Sequence, residues 1–156
     1  MILLQAGKDK FVFRLGEGER TLLEAILKLY PRVTSAQTLS GRSGKPSPGK
    51  EAQALLEEAL AEQRAENKKT LDSFLADSKR FQKHEDSWRF SLTPTEADWL
   101  LQVLNDVRVG SWIVLGSPES HLEILNQKNA RDYWAMEIAG RFEAVLLEAL
   151  SGKRSR

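Results

Sequence analysis

Three polar side chains, Asn105, Asp106 and Arg108, interrupt a strongly apolar stretch that begins at Trp99. Their types suit ligand binding: an amide that donates and accepts, a carboxylate, and a guanidinium fork that matches carboxylate or phosphate. On a helix, Asn105 and Arg108 are three apart and share a face. Arg108 and Trp112 are four apart, close enough for a guanidinium to stack on an indole. Asp106 lies about 100° further round and looks toward Gln102 and Gly110. Further along, His121, Asn126, Asn129, Arg131 and Asp132 make a second polar stretch. Two helices joined by a short turn pack antiparallel, which would bring that stretch near Arg108. Two readings follow. In one, Trp99, Asn105, Asp106, Arg108, Trp112, Arg131 and Asp132 form a binding site. In the other they form a structural network, with Arg108 a buried cation whose partner is Asn105, Asp132, Glu123 or Glu119.

Other chemistry finds little support. His84 and His121 are far apart, and neither has a second ligand at metal spacing, so no metal is expected. The absence of cysteine excludes disulfides, thiol nucleophiles and thiolate metal sites. Gly41-Arg42-Ser43-Gly44-Lys45 carries a trace of a phosphate-binding loop, but Pro46 follows where Ser or Thr is needed. The nucleophile-elbow pattern G-x-S-x-G is absent. No catalytic residue and no cofactor is predicted. Over 156 residues the net charge is +1, too small for a field directed at nucleic acid or membrane. The loop Arg42–Lys50 and the tail Gly152–Arg156 are basic, yet a nucleic-acid partner is not expected. Met1 to Leu4 is apolar but stops at Gln5, so neither a signal peptide nor a membrane span is predicted, and the cytoplasm is the expected location.

The elements that must position these residues are mostly helical. ILLQ and FVFRL flank Gly7 and predict a hairpin, with Phe11, Phe13 and Leu15 on one face and Val12 and Arg14 on the other. Ser87–Leu92 supplies a third strand, with Trp88, Phe90 and Leu92 facing inward. Glu17–Tyr30 repeats apolar residues at three and four and ends at Pro31, with the Tyr30 hydroxyl expected at the surface. Residues 32–49 form a flexible loop rich in Ser, Thr, Gly and Pro. Pro48–Lys83 predicts a long helix, or two separated near Glu62–Lys69, with Leu56, Leu60, Leu71, Phe74 or Leu75, and Phe81 on one stripe. Its polar centre suggests projection from the core or pairing with another subunit. Thr93 caps the next helix, with Pro94 at its first position and Glu96 placed to close a capping box, and Gly116 ends it. Ser117-Pro118 starts a last helix running to Leu150, with Ile138, Phe142, Val145 and Ala149 inward and Gly140 at a close helix crossing. Residues 151–156 read as a disordered tail.

The fold class is therefore mainly α with a small antiparallel β-sheet (α+β): a single domain over residues 1–150, a helical bundle packed on an N-terminal hairpin. The block of Trp99, Leu100, Leu104, Asn105, Asp106 and Arg108, with a displaced glycine at Gly110 or Gly116, resembles an uncharacterised bacterial family, the domain of unknown function 2017. The apolar run Arg141–Leu150 and the extended segment at the start are similar to that family too. Its members are encoded near an adaptor of the Clp protease, so the resemblance implies a regulatory or adaptor role. The function expected is a non-enzymatic protein-interaction module with a protein partner. The apolar surplus of the last two helices adds a homodimer. The alternative is a small-molecule-binding protein or small enzyme using Asn105, Asp106 and Arg108.

Overall fold

The computed structural model describes residues 1–33, 49–118 and 129–152. Alternation builds the sheet. β1 (Ile2–Ala6) and β2 (Phe11–Gly16) pair antiparallel as the predicted hairpin, and the Gly7 N–H donates to the Lys10 carbonyl at 2.9 Å in the turn. Phe11, Phe13 and Leu15 are buried, while Arg14 faces solvent. The sheet has four strands rather than three, in the order β1-β2-β4-β3. β4 (Ser87–Leu92) is the predicted third strand, and β3 (Phe81–His84) is the additional one.

That fourth strand corrects the long helix predicted to Lys83. α1 spans Glu17–Leu27, and α2 is one continuous helix, Lys50–Ala76, ending at the extended Asp77. Phe81 belongs to the sheet, where it faces Phe90 in register. Periodicity placed it on the helix because Phe81 follows Phe74 by seven residues, an offset of about two helical turns. Three rings then line up across neighbouring strands. Phe13 stacks on Phe90 at 5.2 Å, and Phe90 on Phe81 at 5.3 Å. Phe74 of α2 meets Phe81 edge-on at 6.0 Å. Such offset and edge contacts add about 0.5–1.5 kcal/mol per pair to the burial of the rings themselves.

α3 (Pro94–Val114) and α4 (Ala130–Leu150) form the most extensive helix pair, and α1 lies against both. Together these helices cover the sheet's inner face, and the core runs between them through Leu100, Leu104, Leu146 and Leu15. The start of α3 is as predicted. Thr93 Oγ1 accepts the Glu96 N–H, and Glu96 accepts the Thr93 N–H. Its end is a Schellman closure. Gly116 takes φ +86°, its N–H bonds Ile113, and the Ser117 N–H reaches Trp112. α4 starts at Ala130 rather than near Ser117. Residues 119–128, including His121, Glu123, Asn126 and Glu119, lie outside the described residues, as do 34–48 of the predicted loop and 153–156 of the tail. Ser151 and Gly152, read as tail, close α4 instead, with Gly152 at φ +65°. The inward stripe of α4 is Ala135, Ala139, Phe142, Leu146 and Ala149, while Ile138 and Val145 sit at its edge, only partly buried. A face that meets both α3 and the sheet is wide, and the largest apolar residues of the sequence pattern were drawn one position too far round.

Arg80 fastens the sheet to the helices. Its guanidinium grips Glu96 bidentately at 2.9 and 3.0 Å, donates to the Ser91 carbonyl at 3.1 Å, and lies 5.1 Å from the Phe74 ring centre. Burial opposes charge on Glu96, but the hydrogen bonds from Arg80 and Thr93 outweigh it and leave its carboxyl below the ordinary value. That contribution to stability is present above the ordinary carboxylate pKa and is lost as pH falls through the depressed value.

Two glycines give a paired test. A Cβ at Gly110 would lie 2.7–2.9 Å from Arg32, against its backbone carbon as well as its side chain. Gly18 of α1 has open space around it. Gly110→Ala should destabilise the chain by about 1–3 kcal/mol in urea unfolding. Gly18→Ala should stabilise it by up to about 1 kcal/mol.

Candidate functional site

The polar residues of α3 point to two different places. The first lies where the chain leaves α1. Residues 31–33 cross α3, and the Asp106 carboxylate receives them: the N–H groups of Arg32 and Val33 donate to Asp106 Oδ1 at 2.7 and 3.2 Å. One turn on, Gly110 leaves room for Arg32 to lie against the helix. The Arg32 guanidinium then bridges to Asp132 of α4, with both side chains mostly buried. Tyr30, expected with its hydroxyl at the surface, is buried instead, and its oxygen accepts from Asn67 Nδ2 of α2 at 3.2 Å. Burial raises the Tyr30 pKa; the Asn67 bond works against that rise and the Asp106 charge adds to it. Arg32 and Val33 were read as the start of a flexible loop. Both are tied down, because their N–H groups lie at a partly buried crossing and need an acceptor there.

The second place is the seam between α3 and α4. Arg108 Nη2 donates to Asn105 Oδ1 at 2.8 Å, and Arg108 Nε meets Glu143 Oε2 at 2.7 Å. The Arg108 side chain is 44% exposed, so it is not the buried cation expected. Burial falls on its partner: Glu143 is only 7% exposed. The carboxylate comes from another helix, as the structural reading required, but it is Glu143 and not Asp132. Sequence reasoning missed Glu143 because it sits among the apolar positions of the C-terminal half. Gly140, expected at a close helix crossing, is not required there: a Cβ on it would lie 3.5 Å from Arg108 Cδ, an ordinary contact.

Trp99 and Trp112 belong to neither group. Trp112 shows no stacking with Arg108; its indole N–H donates to the Pro118 carbonyl at 3.2 Å. Trp99 lies 5.8 Å from Phe74, beside a cavity of about 460 Å³ between α2 and α3. Its indole N–H is buried without a hydrogen-bond partner among the described residues. Arg131 is exposed at the start of α4. The seven residues proposed as one cluster are therefore dispersed. Among the described residues, Asp106 with Asp132 and Asn105 with Arg108 each serve a helix junction. No group of three or more metal-ligating side chains occurs among the described residues.

The chain matches no family model, no curated protein and no solved structure. The family resemblance accordingly rests on the Trp99–Arg108 block and its flanking pattern alone.

Burial pushes the Glu143 carboxyl above its ordinary value, against the opposing pull of Arg108. The folded chain thus holds that proton more tightly than the unfolded one. Its contribution to stability is full below the ordinary carboxylate pKa and declines as pH rises through the elevated value. Glu143→Gln mimics the protonated form, so the melting temperature of the variant relative to the parent should climb as pH rises through that window. A difference that stays flat with pH would contradict the burial argument. Arg108→Ala and Arg108→Met should both lower the melting temperature by several degrees at neutral pH, since each leaves Glu143 without its cation at about 1–3 kcal/mol. Asp106→Ala should cost a similar amount by stranding two backbone N–H groups.

Proposed function

We propose that the chain is a non-enzymatic protein-interaction module of a regulatory or adaptor kind. The observation that carries this reading is the division of α2. Its second half is held by Asn67, Leu71 and Phe74. Its first half presents Leu55, 67% exposed, and Leu56, 45% exposed, beside a row of glutamates. Leucines are seldom shown in neighbouring positions on a helix that has no further contact to make. The internal use of Asp106, Asn105 and Arg108 supports the same reading, since the groups best suited to ligand chemistry are spent on helix junctions. The resemblance to the domain of unknown function 2017 adds a link to Clp-type proteolysis in a bacterial cytoplasm. No helix among the described residues is long and apolar enough to cross a membrane. A homodimer would use the exposed Trp112, Trp134 and Leu147 of α3 and α4, and a monomer mass by light scattering at micromolar concentration would remove it.

A second reading has one observation in its favour. The cavity beside Phe74 and Trp99 has aromatic walls, hydroxyls from Thr70, Ser73 and Thr95, and a buried indole donor without an acceptor nearby. A small, largely apolar ligand would fit there, rather than at Asn105, Asp106 and Arg108.

Leu55→Ser with Leu56→Ser separates the two. Surface changes of this kind leave stability within about 0.5 kcal/mol. Affinity co-purification from nuclease-treated extract, compared with the parent, should lose a specific protein partner in the double variant. Retention of every co-purifying protein by the folded double variant would count against the interaction reading.

A further inference from the structure

The helices cover one face of the sheet, and the other face is polar apart from Val12 of β2 and the exposed Ile2 of β1, which pairs with Arg14. Strand alternation places Val12 and Arg14 of β2, Arg89 and Ser91 of β4, and Gln82 of β3 on that outer face. Arg14 and Arg89 stand directly opposite each other in the β2–β4 register. Like charges in that position repel and destabilise a strand pair. Neither guanidinium has an ion pair or hydrogen bond among the described residues, in contrast to Arg20, Arg32, Arg80 and Arg108. A groove of about 460 Å³ runs beside them, from Gln5 of β1 across Val12 and Ser91 to Gln82 of β3. Lys10 and Lys79 line its margin. Its one carboxylate, Asp77, already accepts the Lys79 N–H and faces Arg80.

We infer that this outer face receives an acidic, extended segment of a partner protein, with its carboxylates held by Arg14, Arg89, Lys10 and Lys79. The inference rests on the interaction reading above and names the partner's chemistry. Charge complementarity sets the sign: Lys10, Lys79 and Arg89 line the groove with Arg80, which is engaged by Glu96, Arg14 stands opposite Arg89 in register, and the one acid of the lining is already engaged. A bound carboxylate between the two guanidinium forks turns their mutual repulsion into charge-assisted hydrogen bonding. Geometry sets the length. Four strands span roughly 14 Å from first to last, the reach of about four extended residues. The groove's Gln5 and Gln82 amides both donate and accept, which suits a peptide backbone; a phosphate needs donors only. The outer face carries no Phe, Tyr or Trp ring on β2, β3 or β4, only the His84 imidazole at the end of β3, so it lacks the run of stacking rings that single-stranded nucleic acid uses.

The test is fluorescence anisotropy of a labelled oligoglutamate peptide with serine and glycine flanks, titrated with the full chain at low and high salt. Saturable binding is expected, weakening as salt screens the charges. Arg14→Gln with Arg89→Gln should weaken it about tenfold. The same variant should melt no lower than the parent, because the opposed charges are gone. Arg14→Lys with Arg89→Lys keeps the charge but not the forks and should fall between the two. No saturable binding, or affinity unchanged in the double glutamine variant, would overturn the inference. An oligothymidylate bound as tightly, with the same dependence on Arg14 and Arg89, would overturn it in favour of nucleic acid. If the acidic peptide fails while the Leu55 and Leu56 variant still loses its partner, the docking inference falls and the interaction reading stands.

Discussion

Residues 30–33 touch every helix among the described residues, and the Asp106 carboxylate is what holds them in place. One carboxylate oxygen takes two consecutive backbone N–H groups where the chain passes over α3. Gly110 lets that passage lie close, and Arg32 carries it across to Asp132 on α4. Just before, Tyr30 is buried beneath α1 with its hydroxyl bonded to Asn67 of α2. Backbone N–H groups removed from water need an acceptor, and a carboxylate supplies a stronger one than a carbonyl. The fold thus depends on a polar residue in an apolar helix for a mechanical reason: it receives a strap of chain.

The sheet depends on a different balance. Its inner face is dense with aromatic rings, stacked from Phe13 through Phe90 to Phe81 and continued by Phe74 and Trp99. Arg20 lies 3.9 Å over the Trp88 ring and closes the end of that row. The outer face has none of this and keeps two arginines side by side. A sheet that invests its packing on one side leaves the other free to carry charge.

The same division recurs in α2. One half is fixed by Leu71, Phe74 and Asn67, and the other shows its leucines to solvent. The sheet's outer face and the exposed half of α2 are thus two surfaces without internal packing among the described residues, one charged and one apolar. Of the polar residues that first suggested a site, Asp106 and Asp132 are taken up at a helix junction, while Asn105 and Arg108 lie at the exposed edge of the α3–α4 seam.

Local chemistry determined much of this protein from its sequence. The cap at Thr93, Pro94 and Glu96, the closure at Gly116, the hairpin around Gly7 and the inward faces of β2 and β4 follow from hydrogen-bonding capacity and periodicity over a few residues. The role of Asn105 and Arg108 as neighbours on one face was equally local. Tertiary structure decided the rest. Phe81 became a strand residue because Phe90 was there to stack on it. Asp106 found Arg32 across 74 positions of sequence, and Arg108 met Glu143 because α3 and α4 pack along their length. Arg14 and Arg89 were ordinary surface arginines until register set them opposite each other. Spacing along a chain fixes which side chains share a face; only packing fixes which faces meet.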